Sequence, residues 1–200
     1  KRAPGSGCPA VTGEHHNHAI LGATDHCVAV HPSDMGVALT AFDAVVTYET
    51  PDGPAESPLA DFYLPVGDTP HRETALPPGA LITGVVLPPA PVAARSRYRK
   101  VRERASYAFA IGSVAAALAV EDGVVRDARL ALGAVASRPW RARAADRVLV
   151  GGPADGAAFA AAADAELAAA KPLPDNGYKV TLMRNLMVAV LTELAEEATR

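Results

Sequence analysis

Apolar positions along the chain change their spacing repeatedly, and each change predicts an element. Val28, Ala29 and Val30 read as a short strand stopped by Pro32. Ser33 or Asp34 then stands where a helix N-cap belongs, and Met35, Val37, Ala38, Leu39 and Phe42 give the helix that follows an apolar side. The run Val45, Val46, Thr47, Tyr48 predicts a strand, because β-branched and aromatic side chains pack well on a pleated surface. Pro51, Asp52 and Gly53 turn the chain back, residues 57–63 predict a short helical turn, and residues 81–88 form the clearest strand of the first half, ended by Pro88.

The second half has a different texture. Residues 98–109 begin with the alternation of a short strand, break it with Arg102, Glu103 and Arg104, and pass into small apolar residues that run to Val120. Two apolar segments, 113–120 and 125–135, flank Asp122 and Gly123, a dipeptide that predicts an antiparallel hairpin. Pro139 is expected to open a helix running to Leu149, with Trp140 as a core anchor. An alanine-rich helix is expected over 155–170 and a third over 178–198, the latter burying Val180, Leu182, Met183, Leu186, Met187, Val190, Leu191 and Leu194. The proline-rich linker at 88–91 puts a boundary between Pro88 and Arg97. The class expected is α+β.

Half the residues are hydrophobic, enough for a buried core, and the net charge is -3. The arginines are scattered and form no basic face, so nucleic acid is not an expected partner. No apolar run reaches the roughly 20 residues that a membrane span needs. The first residues lack the apolar core of a secretory signal, so the chain carries no address of its own and either a cytoplasmic or a periplasmic setting is open to it. It begins with Lys1 inside a Pro/Gly/Ser run, which suggests the middle of a longer protein or a processed or trimmed chain.

The common catalytic signatures are absent: there is no glycine-rich dinucleotide or phosphate loop, no nucleophile elbow and no His-Glu-x-x-His. Histidines 15, 16, 18 and 26 with Glu14 and Asp25 lie in a polar stretch, but without the short spacings of a zinc site they read as exposed loop histidines. Cys8 and Cys27 are open to three readings, a disulfide, free thiols or half of a metal site. Asp34 on a strand-to-helix turn, Ile82 on a strand and Lys100 on another could converge on a ligand bearing hydroxyls and a negative group, while Asp34 as a plain helix cap explains that residue without a ligand.

The stretch from Cys27 to Met35, the strand at Leu81 and the stretch from Tyr98 to Phe109 resemble the FAD-binding (medium) subunit of the molybdenum hydroxylases, the xanthine dehydrogenase family. Within it the likeness is greatest to the FAD and iron–sulfur subunit of bacterial periplasmic aldehyde oxidoreductases. The resemblance implies the C-terminal part of a PCMH-type FAD-binding domain followed by a small antiparallel sheet with a helical bundle, like the CO dehydrogenase flavoprotein C-terminal domain. It divides the chain into a cysteine-containing loop of an iron–sulfur insertion (1–30), the second half of the FAD-binding domain (31–92) and the sheet-plus-helices domain (93–200).

Carried over to these residues, the resemblance gives Asp34 a hydroxyl of the FAD chain, sets Ile82 near the isoalloxazine and Lys100 near the flavin's polar edge, and lines the same turn with His31 and Ser33. It makes Cys8 and Cys27 two of the four thiolate ligands of a 4Fe-4S cluster, the others lying upstream. It implies a molybdenum-cofactor large subunit and a 2Fe-2S small subunit as partners, with electrons passing from iron–sulfur clusters through FAD to an acceptor. The part that cradles the FAD pyrophosphate is missing from the sequence, so a separate or preceding chain segment is expected to supply it, and the chain alone is expected to be inactive. The competing expectations are a docking fragment that binds no cofactor and a small zinc protein.

Overall fold

The computed structural model describes residues 5–198; residues 1–4, the start of the expected cysteine-containing loop, and residues 199–200 lie outside the described residues. The chain forms two antiparallel sheets with helices, the α+β architecture expected of it.

The first segment is irregular apart from a single 3-10 turn at Pro9–Thr12. It is nevertheless anchored, because Ala19, Ile20 and Leu21 are buried and the amides of Ile20 and Leu21 both donate to the Val135 carbonyl at 2.9 Å. The strand expected at 28–30 does not form. Its backbone meets the rest of the chain only at scattered points, Ala19 N–H to the Val28 carbonyl and His31 N–H to the Ala136 carbonyl, so no ladder partner is in register with it.

Helix α1 (Asp34–Ala41) starts as expected, and Ser33 is its cap: the Ser33 hydroxyl accepts from Gly36 N–H at 2.9 Å. Strand β1 (Val45–Thr50) is the centre of a three-stranded sheet, paired on one side with β2 (Gly53–Pro58) and on the other with β3 (Leu81–Val86). β2 is absent from the hydrophobic pattern because Pro54 and Pro58 argue against a strand; both are tolerated because β2 is an edge. A short helix α2 (Leu59–Phe62) closes a small core of Ala44, Val46, Leu59 and Phe62.

The second sheet has the order β4 (Ser96–Val101), β5 (Gly112–Glu121), β6 (Val124–Gly133), β7 (Trp140–Arg141), with the β5–β6 hairpin turning at Asp122 and Gly123. Pro139 does not open a helix. Trp140 and Arg141 instead pair with Leu132 and Ala131 on β6, and helix α3 (Arg143–Leu149) starts only after them. The sheet edge offered Trp140 ladder hydrogen bonds and a buried contact that an exposed first helical turn would not, and its indole N–H donates to Glu166 at 2.7 Å. Helix α4 (Gly156–Leu167) is capped by Asp155, and helix α5 (Tyr178–Ala198) covers the span expected of it. Val180 and Leu182 are only partly covered on α5, whereas Lys179 is buried.

β5 is buried on both faces because its side chains alternate between two layers. Val114, Ala116 and Leu118 point into the large core made with the helices, and Ala115 packs with Ala131 against Val37 and Ala41 of α1. The small residues let α1 approach closely: a Cβ on Gly133 would stand 2.2 Å from Ser113 Oγ and 2.5 Å from Val37 Cγ2. Among the described residues, no helix is long and apolar enough to cross a membrane.

Candidate cofactor-binding site

Because Ser33 takes the capping role, the Asp34 carboxylate is left to point outward from the first turn of α1. Tyr98 and Lys100, two positions apart on β4 and therefore on one face of it, both reach this carboxylate. The Tyr98 hydroxyl donates to Oδ1 at 2.8 Å and the Lys100 ammonium to Oδ2 at 2.5 Å. Partial burial alone would push the Asp34 pKa up, but the hydrogen bonds from Lys100 and Tyr98 and the charges of Lys100 and Arg102 outweigh it and hold the carboxyl below its ordinary value. Burial, with the neighbouring carboxylate, pushes the Tyr98 phenol up, so it stays a donor. A carboxylate has about four acceptor positions, so Asp34 can still accept from a ligand while holding both partners.

A cavity of about 390 Å³ is lined by Val30 and Pro32, by Glu103, Phe109 and Ile111, and by Asn17. Most of these residues belong to the stretches that lead, along the chain, into Asp34 and out of Lys100. The Phe109 ring is 75% exposed and Tyr107, at φ +51°, is almost wholly exposed, so aromatic surface faces open space in a loop braced by a hydrogen bond from Arg104 to the Tyr107 carbonyl. His16 bridges to the same loop, with Nε2 3.3 Å from the Glu103 carboxylate. A largely apolar cavity with two polar side chains, Asn17 and Glu103, in its lining can take an aromatic ligand.

The structure brings Ser33, Asp34 and Lys100 together. His31 belongs to the same turn, but its ring packs edge-on against Tyr63, 4.7 Å between centroids, on the side of the first core. Ile82 lies in the other sheet on β3, 47% exposed, and joins none of the apolar clusters. Cys27 is buried, Cys8 is half-buried, and both are free thiols. Among the described residues no group of three or more histidine, cysteine or acidic side chains could hold a metal ion. A 4Fe-4S cluster takes four thiolates, so the residues present do not complete a site for it.

Of the four histidines, His16 and His26 are exposed as expected, but His15 and His18 are not. His15 is buried, with Nδ1 3.1 Å from Nδ1 of His18, and burial, then His15 and Lys179, lower the His18 pKa. Sequence reasoning also passed over Asn17 and Ile111 as cavity walls, since nothing in their spacing links residues so far apart along the chain.

The chain matches two family models, the FAD binding domain in molybdopterin dehydrogenase over residues 20–90 and the CO dehydrogenase flavoprotein C-terminal domain over residues 96–195. Over 199 residues it is 48% identical to the aldehyde oxidoreductase FAD-binding subunit PaoB of Escherichia coli (strain K12), covering 99% of this chain and 59% of that protein. Over 119 residues it is 29% identical to the glyceraldehyde dehydrogenase medium chain of Sulfolobus acidocaldarius, covering 60% of this chain and 40% of that one. The chain thus spans well under two thirds of the length of either relative. Its fold is similar to a chain of quinoline 2-oxidoreductase from Pseudomonas putida 86, with a TM-score of 0.72 at 22% identity over 96% of this chain and 61% of that one. It is also similar to a chain of the carbon monoxide dehydrogenase from Hydrogenophaga pseudoflava, with a TM-score of 0.69 at 24% identity over 91% of this chain and 59% of that one.

Proposed function

Since the chain belongs to the family of FAD-binding subunits of molybdenum hydroxylases, we propose that it is the C-terminal portion of an electron-transfer flavoprotein subunit, and that the cavity lined by Pro32 and Phe109 receives the flavin ring. The observation that carries this reading is that one cavity is lined from both of the stretches that resemble the family, and that the Asp34–Lys100 ion pair joins those same two stretches. Bound FAD supplies two-electron and one-electron transfer. The residues here bind and orient: Asp34 accepts from a hydroxyl of the FAD chain, Phe109 and Pro32 cover the ring, and Lys100 places a cation near its polar edge. Asp34 already neutralises much of that charge, so Lys100 acts first as an anchor and only second as a source of potential.

Cys8 and Cys27 are proposed as two thiolate ligands of a 4Fe-4S cluster whose other ligands belong to the part of the relatives' length that this chain does not span. In the proposed complex, a large subunit with the molybdenum cofactor oxidises an aldehyde or heterocycle, a small subunit with 2Fe-2S clusters relays electrons, and the acceptor is reduced at the flavin. The missing half of the FAD-binding domain is supplied by the preceding segment or by a separate chain. The exposed apolar strand β3 also favours a second reading, a docking component that holds no cofactor itself.

An absorption spectrum of the full-length subunit, purified with its coexpressed partners, separates the two. Flavin bands near one FAD per subunit, lost at least tenfold in affinity in Lys100→Ala, support the first; a colourless subunit in an intact complex supports the second. Iron that is undiminished in Cys27→Ser would remove that residue from the cluster.

A further inference from the structure

Lys179 is a fully buried cation on the first turn of α5, with no carboxylate partner among the described residues. Its ammonium donates instead to three backbone carbonyls, Ala134 at 2.7 Å, His18 at 3.1 Å and Asn17 at 3.3 Å. Burial pulls its pKa down to about 8, while three carbonyl dipoles favour the charged form. Burying an ammonium is costly, so its retention calls for a structural return. One of its acceptors, Ala134, is itself held in the left-handed region at φ +59°.

The other contacts of this corner converge on the same segment. Asp175 accepts from His15 N–H at 2.9 Å, and the Asn176 amide donates to the carbonyls of His18 and Ala19. The Tyr178 hydroxyl donates to the His16 carbonyl at 3.0 Å, and its ring stacks on His16 at 4.8 Å. The start of α5 therefore grips residues 15–18 one after another. From that segment Asn17 forms part of the cavity wall, and His16 reaches the carboxylate of Glu103, which also lines the cavity.

We propose that Lys179 is a positioning residue for the flavin cavity: its ammonium ties residues 17 and 18 to the end of β6, fixing one part of the lining, and His16 carries that placement to Glu103 in another. The proposal rests on the reading of this cavity as the flavin site. Lys179 touches no ligand; it acts through the segment it holds.

The test uses the full-length subunit in its assembled complex. Lys179→Met is compared with Met187→Ala, which removes buried volume from the same helix and leaves in place the hydrogen bonds that Asp175, Asn176, Tyr178 and Lys179 make to residues 15–18. Amide exchange should rise roughly tenfold or more over residues 15–21 and over the 103–111 loop in Lys179→Met, and FAD should dissociate roughly tenfold more readily, while Met187→Ala lowers thermal stability and leaves both readouts near wild type. Equal effects in the two variants, or none in Lys179→Met, would overturn the proposal. His16→Ala, at an exposed position, should loosen 103–111 while leaving 17–21 protected. If Lys179→Met does not fold, that variant decides, and unchanged exchange at 103–111 overturns the proposal. A wild-type complex without FAD sinks the flavin reading, while exchange at both segments still decides whether Lys179 positions them.

Discussion

The two sheets differ in what covers them. β5 runs between α1 on one face and the three C-terminal helices on the other, so almost every side chain along it is buried. β3 pairs with β1 on one side only and exposes Leu81, Ile82, Val85 and Val86, with Leu87 just beyond it. Soluble proteins seldom leave an apolar edge strand open, because its free N–H and C=O groups invite another strand. The second sheet is thus covered on both faces at β5, whereas the first leaves the apolar side chains of β3 open. The helix between them, α1, is adjacent in sequence to the first sheet but packs on the second, which is how Asp34 comes to meet β4.

The largest effect separates the two sheets by core deletion. Leu130→Ala, at a fully buried site on β6, should cost about 2–5 kcal/mol in denaturant unfolding. Leu81→Ala, on β3, should change stability by less than about 0.5 kcal/mol. Equal costs would break the contrast. Next in size is Gly133→Ala: the added methyl collides with Ser113 and Val37, so α1 must shift, and a loss of about 1–3 kcal/mol is expected. A neutral result would mean that α1 sits more loosely on the sheet than its spacing implies.

Asp34 gives a smaller, pH-dependent effect. Its folded pKa lies below the ordinary 3.8, so the ion pair's contribution is complete above that value and is lost as the pH falls through the lower folded one. The pair is partly exposed, so the contribution is about 1 kcal/mol or less. Asp34→Asn should flatten the acid limb of the stability curve by that amount; an unchanged limb would show the pair to be energetically idle. The smallest effect on the isolated chain sharpens the contrast most: Val86→Lys should leave thermal stability within about 0.5 kcal/mol, yet reduce pull-down of the rest of the FAD-binding subunit. Full recovery would leave the β3 edge without a partner.

Some of this is legible in the sequence. The hairpin at Asp122 and Gly123 and the helix at Tyr178–Ala198 follow from a turn that needs particular residues and from a long 3.6-residue period, and both stand where they were expected. Short segments were not legible. Three apolar residues at 28–30 could not find a partner, Pro54 disguised an edge strand, and Trp140 took a sheet edge that local pattern could not foresee. The candidate site divides the same way: Asp34 and Lys100 were visible as residue types, while their hydrogen bond across 66 residues was not.

Local sequence specifies the periodic features: the long helices, the hairpin, a helix cap at Ser33 or Asp34 and the clustering of charge around Lys100, because each depends on neighbours within a few residues. Only the tertiary structure decided that Ser33 and not Asp34 caps α1, that Asp34 meets Tyr98 and Lys100, and that a lysine on an otherwise apolar helix face is buried against the carbonyls of residues 17, 18 and 134. Those outcomes depend on which distant backbone groups are left needing a hydrogen bond once the core has closed, and no local pattern carries that information.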